Sequence, residues 1–256
     1  MRANRLREIW AAGKPVMNGW CVLPGAFSAE LMASMGWDAM VIDTQHGVIG
    51  YSEMLAMLQA ISTTAAVPLV RVAWNQPGEI MRALDAGAYG IICPMINDAA
   101  ECAAFVQACR YPPAGFRSSG PTRAVIYGGP DYQAKANGEM LTFAMVETAA
   151  GLANVEAIVA TPGLDGVYIG PSDLSLAIGG PPGQDSDAPA LMAAFDKILA
   201  ACKAAGVKVG VHTGSVAYAQ KMVTRGFDMV TVGIDSRFLL TGRRDAGEMR
   251  SWLEAR

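Results

Sequence analysis

Polar side chains of this sequence stand just after, or inside, short apolar runs. Asp43-Thr44-Gln45-His46-Gly47 follows the run at 39–42, and Arg71 lies within the run at 68–72. Glu147 follows 141–146, and Gly170-Pro171-Ser172-Asp173 follows 166–169. His212 follows 207–211, and Gly233-Ile234-Asp235 follows 229–232. Carboxylates, one arginine and both histidines of the chain are the residue types of acid–base and metal-assisted chemistry. Glu147 and Asp173 would end consecutive strands. Adjacent strands lie ~4.8 Å apart, so both carboxylates would reach one ion. Two oxygen ligands without cysteine or a second histidine suit a hard cation such as Mg²⁺ or Mn²⁺, with positions left for water and substrate.

Each residue also has a plainer reading. Asp173 and Asp235 each open a predicted helix, and N-capping alone would account for either. Asp43 would cap a turn by the same logic. His212 has no evident partner. Arg71 is harder to dismiss, because a charge inside an apolar run is costly without a partner, and an inward arginine suits an anion or carboxylate. Glu147, directly after Phe143-Ala144-Met145-Val146, needs a cation, a proton or several donors.

Chemistry at strand ends requires a scaffold that gathers them. Eight apolar runs (16–23, 39–42, 68–72, 90–94, 141–146, 166–169, 207–211 and 229–232) are continuous rather than alternating, as in strands buried on both faces. Amphipathic stretches lie between them, and Asp98-x-x-Glu101 reads as a capping box. Gly36, Gly87, Gly206 and Gly226 fall where helices should stop before the next strand. Strand and helix therefore alternate along one domain, 1–256, which predicts a (β/α)8 barrel with its site at the C-terminal ends of the strands. An open doubly wound sheet fits less well, since no G-x-G-x-x-G follows the first strand. The stretch 110–138 is expected to cover the active site.

Composition excludes other classes. Of 256 residues, 52% are hydrophobic and 17% charged, too apolar for a disordered chain. No apolar run approaches the ~18 residues of a membrane span. The net charge of −3, without a basic cluster, argues against nucleic acid as a partner. Five scattered cysteines with no C-x-x-C predict free thiols in a reducing compartment, the cytoplasm.

The chain resembles, almost end to end, the HpcH/HpaI aldolases, which are metal-dependent class II pyruvate aldolases with a (β/α)8 fold of the phosphoenolpyruvate/pyruvate type. The resemblance rests on Ala12-Gly13-Lys14-Pro15, Val41-Ile42-Asp43-Thr44-Gln45-His46-Gly47, Val70-Arg71-Val72-Ala73-Trp74-Asn75 and Arg110-Tyr111-Pro112-Pro113-Ala114-Gly115. Val146-Glu147-Thr148 and Ile169-Gly170-Pro171-Ser172-Asp173-Leu174-Ser175 complete it. It implies that Glu147 and Asp173 bind a divalent ion (Mg, Mn or Co), that His46 accepts the proton, and that Arg71 stabilises an enolate. It implies that Asp85, otherwise a solvated charge near a helix end, tunes the histidine. Ser172 and Asp173 would supply the backbone site for the pyruvate carboxylate. The implied reaction is reversible retro-aldol cleavage of a 4-hydroxy-2-oxo acid to pyruvate and an aldehyde by a homo-oligomer, a hexamer, in which residues 238–256 pack on a neighbour or form an ordinary eighth barrel helix.

Two departures bear on the acceptor aldehyde. Gln45 replaces the Glu, and Met145 the Gln, of the heptanedioate-cleaving members. Independently of the resemblance, no lysine directly follows a predicted strand, as a Schiff-base route requires, although Lys208 lies inside the seventh. Two alternatives remain at this stage: a CoA-thioester lyase of the citramalyl- or malyl-CoA type, and a non-catalytic barrel.

Overall fold

In the computed structural model, which describes residues 1–256, eight parallel strands close into a barrel in chain order. They are β1 (Val16–Cys21), β2 (Ala39–Asp43), β3 (Val67–Arg71), β4 (Gly90–Cys93), β5 (Leu141–Met145), β6 (Gly166–Ile169), β7 (Lys208–His212) and β8 (Met229–Ile234). The helices begin with α1 (Arg5–Ala11), α2 (Ala26–Ala33), α3 (Tyr51–Ile61), α4 (Pro77–Asp85) and α5 (Ala99–Ala108). They continue with α6 (Thr122–Gly128), α7 (Tyr132–Glu139), α8 (Ala149–Ala153), α9 (Val155–Val159) and α10 (Pro171–Ala177). The last are α11 (Pro189–Ala205), α12 (Val216–Arg225), α13 (Asp235–Leu240) and α14 (Arg243–Glu254).

The expected (β/α)8 architecture is therefore present. Strands β2 to β6 are buried at every position, because one face fills the barrel and the other packs under helices. Burying each Val, Leu or Ile of these strands contributes roughly 1.5–3 kcal/mol relative to exposure. Gly206 and Gly226 end α11 and α12 in the left-handed region, at φ 70° and 109°, where a side chain would be strained. Asp98 Oδ1 accepts the Glu101 N–H at 2.8 Å, as its capping pattern requires.

Register decides what meets at the rim. The β2–β3 pairing sets Ala39 against Val67 and, four residues on, Asp43 directly against Arg71. The last residues of these two strands are thus neighbours on the C-terminal rim.

One expectation fails, and one of the two readings of the C-terminal segment is removed. The stretch 110–138 does not cover that rim. It begins where α5 ends, so it closes the opposite end of the barrel, where helices return to strands. Arg117 there pairs with Asp85, the last residue of α4. Arg123 bonds the Ala86 carbonyl and Ser62 Oγ, and the Arg2 N–H reaches the Gly128 carbonyl. Nor is the C-terminal segment an ordinary eighth barrel helix. No residue of α14 is buried, and Met249, Trp252 and Leu253 are each about half exposed on one face. An apolar groove of about 710 Å³ lies open beside α12, lined by Val16, Met17, Trp37, Val223, Val230 and Phe238 among others. No helix is long and apolar enough to cross a membrane.

Candidate active site

Asp43 is the hub of the rim. Its Oδ1 accepts Arg71 Nε at 2.9 Å and the Gln45 and His46 backbone N–H groups at 3.0 and 3.1 Å. Its Oδ2 accepts Trp20 Nε1 at 3.1 Å and also Arg71 Nη2. Burial pushes this carboxyl up, but the Arg71 guanidinium and the His46 and Trp20 N–H groups outweigh burial and hold it below the ordinary carboxylate range. One aspartate therefore fixes an arginine fork, an indole and the loop that carries His46. Arg71 is buried beside the Trp20 ring, 5.0 Å from its centroid. His46 itself is exposed toward the cleft.

Glu147 leaves the end of β5 almost fully buried. Its Oε1 accepts the Met95 N–H at 2.9 Å. Met95 is the one non-glycine residue with positive φ, at 57°, an uncommon conformation that sits beside this carboxylate. No protein group donates to Oε2, and a Cβ on Gly170 would lie only 2.4 Å from it. Burial, and then the charges of Asp173 and Asp43, push Glu147 up to about 7 against the lowering pull of Met95 N–H and Arg71. A buried carboxylate with one open oxygen beside a second carboxylate fits a hard divalent cation. No cluster of three or more His, Cys, Asp or Glu gathers here, so the pair would leave coordination positions to water and substrate.

Asp173 lies in the first turn of α10 and is exposed. The N–H groups of Ser172 and Asp173 have no intrahelical acceptor, and Gly170 at the N-cap has no side chain to take them. A cleft of about 190 Å³ opens between these groups. Trp20, His46, Arg71, Met145, Tyr168, Gly170, Ser172, Asp173, Gln184 and His212 line it, and none is a lysine. Lys208, at the start of β7, instead pairs with Asp228 at 2.9 Å.

The barrel thus brings His46, Arg71, Ser172 and Asp173 to one cleft, with Glu147 Oε2 close to Gly170 in its wall. It does not bring Asp85, whose carboxylate at the opposite end of the barrel bonds Arg117 Nη2 at 2.7 Å. Asp235 is not a plain helix cap: it accepts the N–H groups of Val22 and Leu23 and so braces the end of β1, which carries Trp20. Sequence reasoning passed over Trp20, Tyr168 and Gln184, and gave Asp43 a place at a strand end but no partner. Asp43 carried a signal, a charge closing an apolar run, but its partner depended on register.

The family model described as HpcH/HpaI aldolase/citrate lyase matches residues 20–241. The chain belongs to the HpcH/HpaI aldolase/citrate lyase family. Within it, the chain is 41% identical over 241 residues to a hydroxypyruvate/pyruvate aldolase of Rhizorhabdus wittichii, covering 94% of this chain and 96% of that one. It is 36% identical over 244 residues to a 4-hydroxy-2-oxo-heptane-1,7-dioate aldolase of Salmonella arizonae, covering 93% and 91%. The crystal structure of a family protein from Burkholderia cenocepacia superposes at a TM-score of 0.89, with 33% identity and coverage of 97% and 100%. Of the two departures noted in the sequence, Met145 lines this HpcH/HpaI cleft, whereas Gln45 is not among its lining residues and its Oε1 is buried without a partner.

Proposed function

We propose that this cleft catalyses reversible retro-aldol cleavage of 4-hydroxy-2-oxo acids to pyruvate and an aldehyde. The observation that carries the reading is the convergence of a braced arginine, a carboxylate pair and an exposed histidine on one barrel rim. The relatives' names carry the same activity. The free N–H groups of Ser172 and Asp173 hold the substrate carboxylate. Arg71, fixed by Asp43, places its positive charge at the C2 oxygen, where negative charge develops. His46 accepts the C4 hydroxyl proton. The C4–O electron pair forms the aldehyde carbonyl, the C3–C4 bond breaks, and its electrons move to the C2 oxygen as an enolate. A proton delivered to C3 then completes pyruvate. Glu147 and Asp173 would hold a divalent ion, Mg, Mn or Co, which would supply Lewis-acid stabilisation of the enolate. Purified holo protein incubated with pyruvate and a panel of aldehydes tests the reading, with products identified by mass. Adducts with one or more aldehydes support it, and none with any aldehyde refutes it.

Replacing Arg71 removes a preorganised donor at the oxyanion. Arg71→Ala should lower kcat/KM for cleavage by ~10²–10³. The variant also leaves Asp43 buried without its cation, so its melting temperature should drop as well. A rate within threefold of wild type would make the arginine purely structural.

We further propose a homo-oligomer, a hexamer, in which α14 of one copy covers the apolar groove of another. The groove beside α12 is open, and α14 exposes Met249, Trp252 and Leu253. Contiguous apolar surface of this kind marks an interaction site. Sedimentation at micromolar protein should show the oligomer, and truncation before Arg243 should dissociate it. Monomer alone for the full chain would contradict the proposal. A role for Asp85 in tuning His46 likewise requires a second copy, since within one chain the two lie at opposite ends of the barrel. The five cysteines are all buried and unpaired, in keeping with a cytoplasmic setting.

A further inference from the structure

We propose that Asn97 is a positioning residue for the carboxylate pair: its side chain clamps the loop after β4 to the loop after β5 and so holds Glu147 with one oxygen tied and the other free. The inference rests on the carboxylate-pair reading above and deepens it by naming what fixes the buried member of the pair.

The two loops lie side by side on the rim. The Ile96 N–H bonds the Met145 carbonyl at 3.2 Å. Gly151 in α8 comes so near the other loop that a Cβ on it would lie 2.6 Å from the Ile96 carbonyl. The Met95 N–H, at 2.9 Å from Oε1, is the one protein donor to the Glu147 side chain. Aiming it there requires Met95 to adopt φ 57°, a conformation that disfavours any residue with a side chain.

Asn97 is built to hold that conformation. Its Nδ2 donates to the Met95 carbonyl at 2.9 Å and to Glu101 Oε2 at 3.2 Å, and its Oδ1 accepts the Thr148 hydroxyl at 2.6 Å. The amide fits only this way round, because turning it over would set Oδ1 against a carbonyl and a carboxylate, both acceptors. Thr148 Oγ1 accepts the Gly151 N–H at 2.9 Å, which leaves its hydrogen for Oδ1. The Asn97 backbone is tied as well: its N–H bonds Glu101 Oε2 at 2.8 Å, and its carbonyl accepts Asn154 Nδ2 at 2.9 Å.

One amide therefore fixes both partners of the Glu147 hydrogen bond. On one side it pins the Met95 carbonyl, and the left-handed turn then directs the Met95 N–H at Oε1. On the other it anchors Thr148, the residue that follows Glu147 in the chain. With Oε1 tied, Oε2 stays beside Gly170 in the cleft wall. Groups that orient a carboxylate in this way set how well it binds a cation.

Calorimetric titration of the purified full chain with Mn²⁺ tests the assignment. Asn97→Ala should weaken Mn²⁺ binding by about 10–100-fold, with the number of sites per chain unchanged. Partial unfolding would instead remove sites and leave the affinity of the remainder as in wild type. Thr148→Val, which loses the hydroxyl but keeps the shape, should weaken binding by about 10-fold, and it gives an answer even if the Asn97 variant does not fold. Thr148→Ser, which keeps the hydroxyl, should bind within about threefold of wild type. Asn75→Ala removes a different bond to the same network, Asn75 Nδ2 to the Glu101 carbonyl at 3.0 Å, and should leave the affinity within about twofold. Wild-type affinity in folded Asn97→Ala or Thr148→Val, or equal weakening by Asn75→Ala, overturns the proposal. No Mn²⁺ binding by the wild type would instead defeat the carboxylate-pair reading, and this role with it.

Discussion

Glu147→Gln should lower kcat/KM for cleavage by ~10³ or more and weaken Mn²⁺ binding measured by calorimetry. The size follows from the several kcal/mol that a divalent Lewis acid contributes to an enolate-forming step, at about 1.4 kcal/mol per factor of ten. Glutamine is nearly isosteric, and its carbonyl oxygen can still accept the Met95 N–H that Glu147 Oε1 now takes at 2.9 Å. The fold should therefore persist, and the loss should trace to the missing charge. Asp173→Asn should weaken the same binding. Unchanged Mn²⁺ affinity with a cleavage rate within threefold of wild type would mean that these carboxylates hold no metal.

His46→Ala should slow cleavage by ~10²–10⁴, the usual range for a general base, while Mn²⁺ affinity is retained. The separation of the two effects is the informative part. His46 lies exposed on the loop after β2, anchored through its backbone N–H to Asp43 at 3.1 Å. Its side chain can be removed without disturbing that anchor. Loss of the metal in this variant would make His46 a ligand and reassign the base.

The barrel was legible because its strands are buried on both faces, which writes them as continuous apolar runs. Those runs match β1 to β8 to within two residues at either end. The rim residues were legible for the same reason: Arg71 and Glu147 stand out as charges that an apolar environment does not tolerate alone. What satisfies them was not legible. The partner of Arg71 is Asp43 through strand register, and the open oxygen of Glu147 depends on Met95 and Gly170, which lie on other strand-end loops. The stretch 110–138 was misplaced because it was counted from the fourth strand, although α5 intervenes and carries the chain back to the far end of the barrel. The C-terminal helix was equally opaque, since an amphipathic pattern at Met249, Trp252 and Leu253 specifies an apolar face but not what packs on it.

Pyruvate release from a 4-hydroxy-2-oxo acid, assayed before and after chelation and in the presence of borohydride, tests the central claim most directly. The account predicts that excess EDTA abolishes release, that Mn²⁺, Co²⁺ or Mg²⁺ restores it, and that borohydride traps no protein adduct, because no lysine lines the cleft. Full release in excess chelator, together with a covalent pyruvate adduct on a lysine, would contradict it.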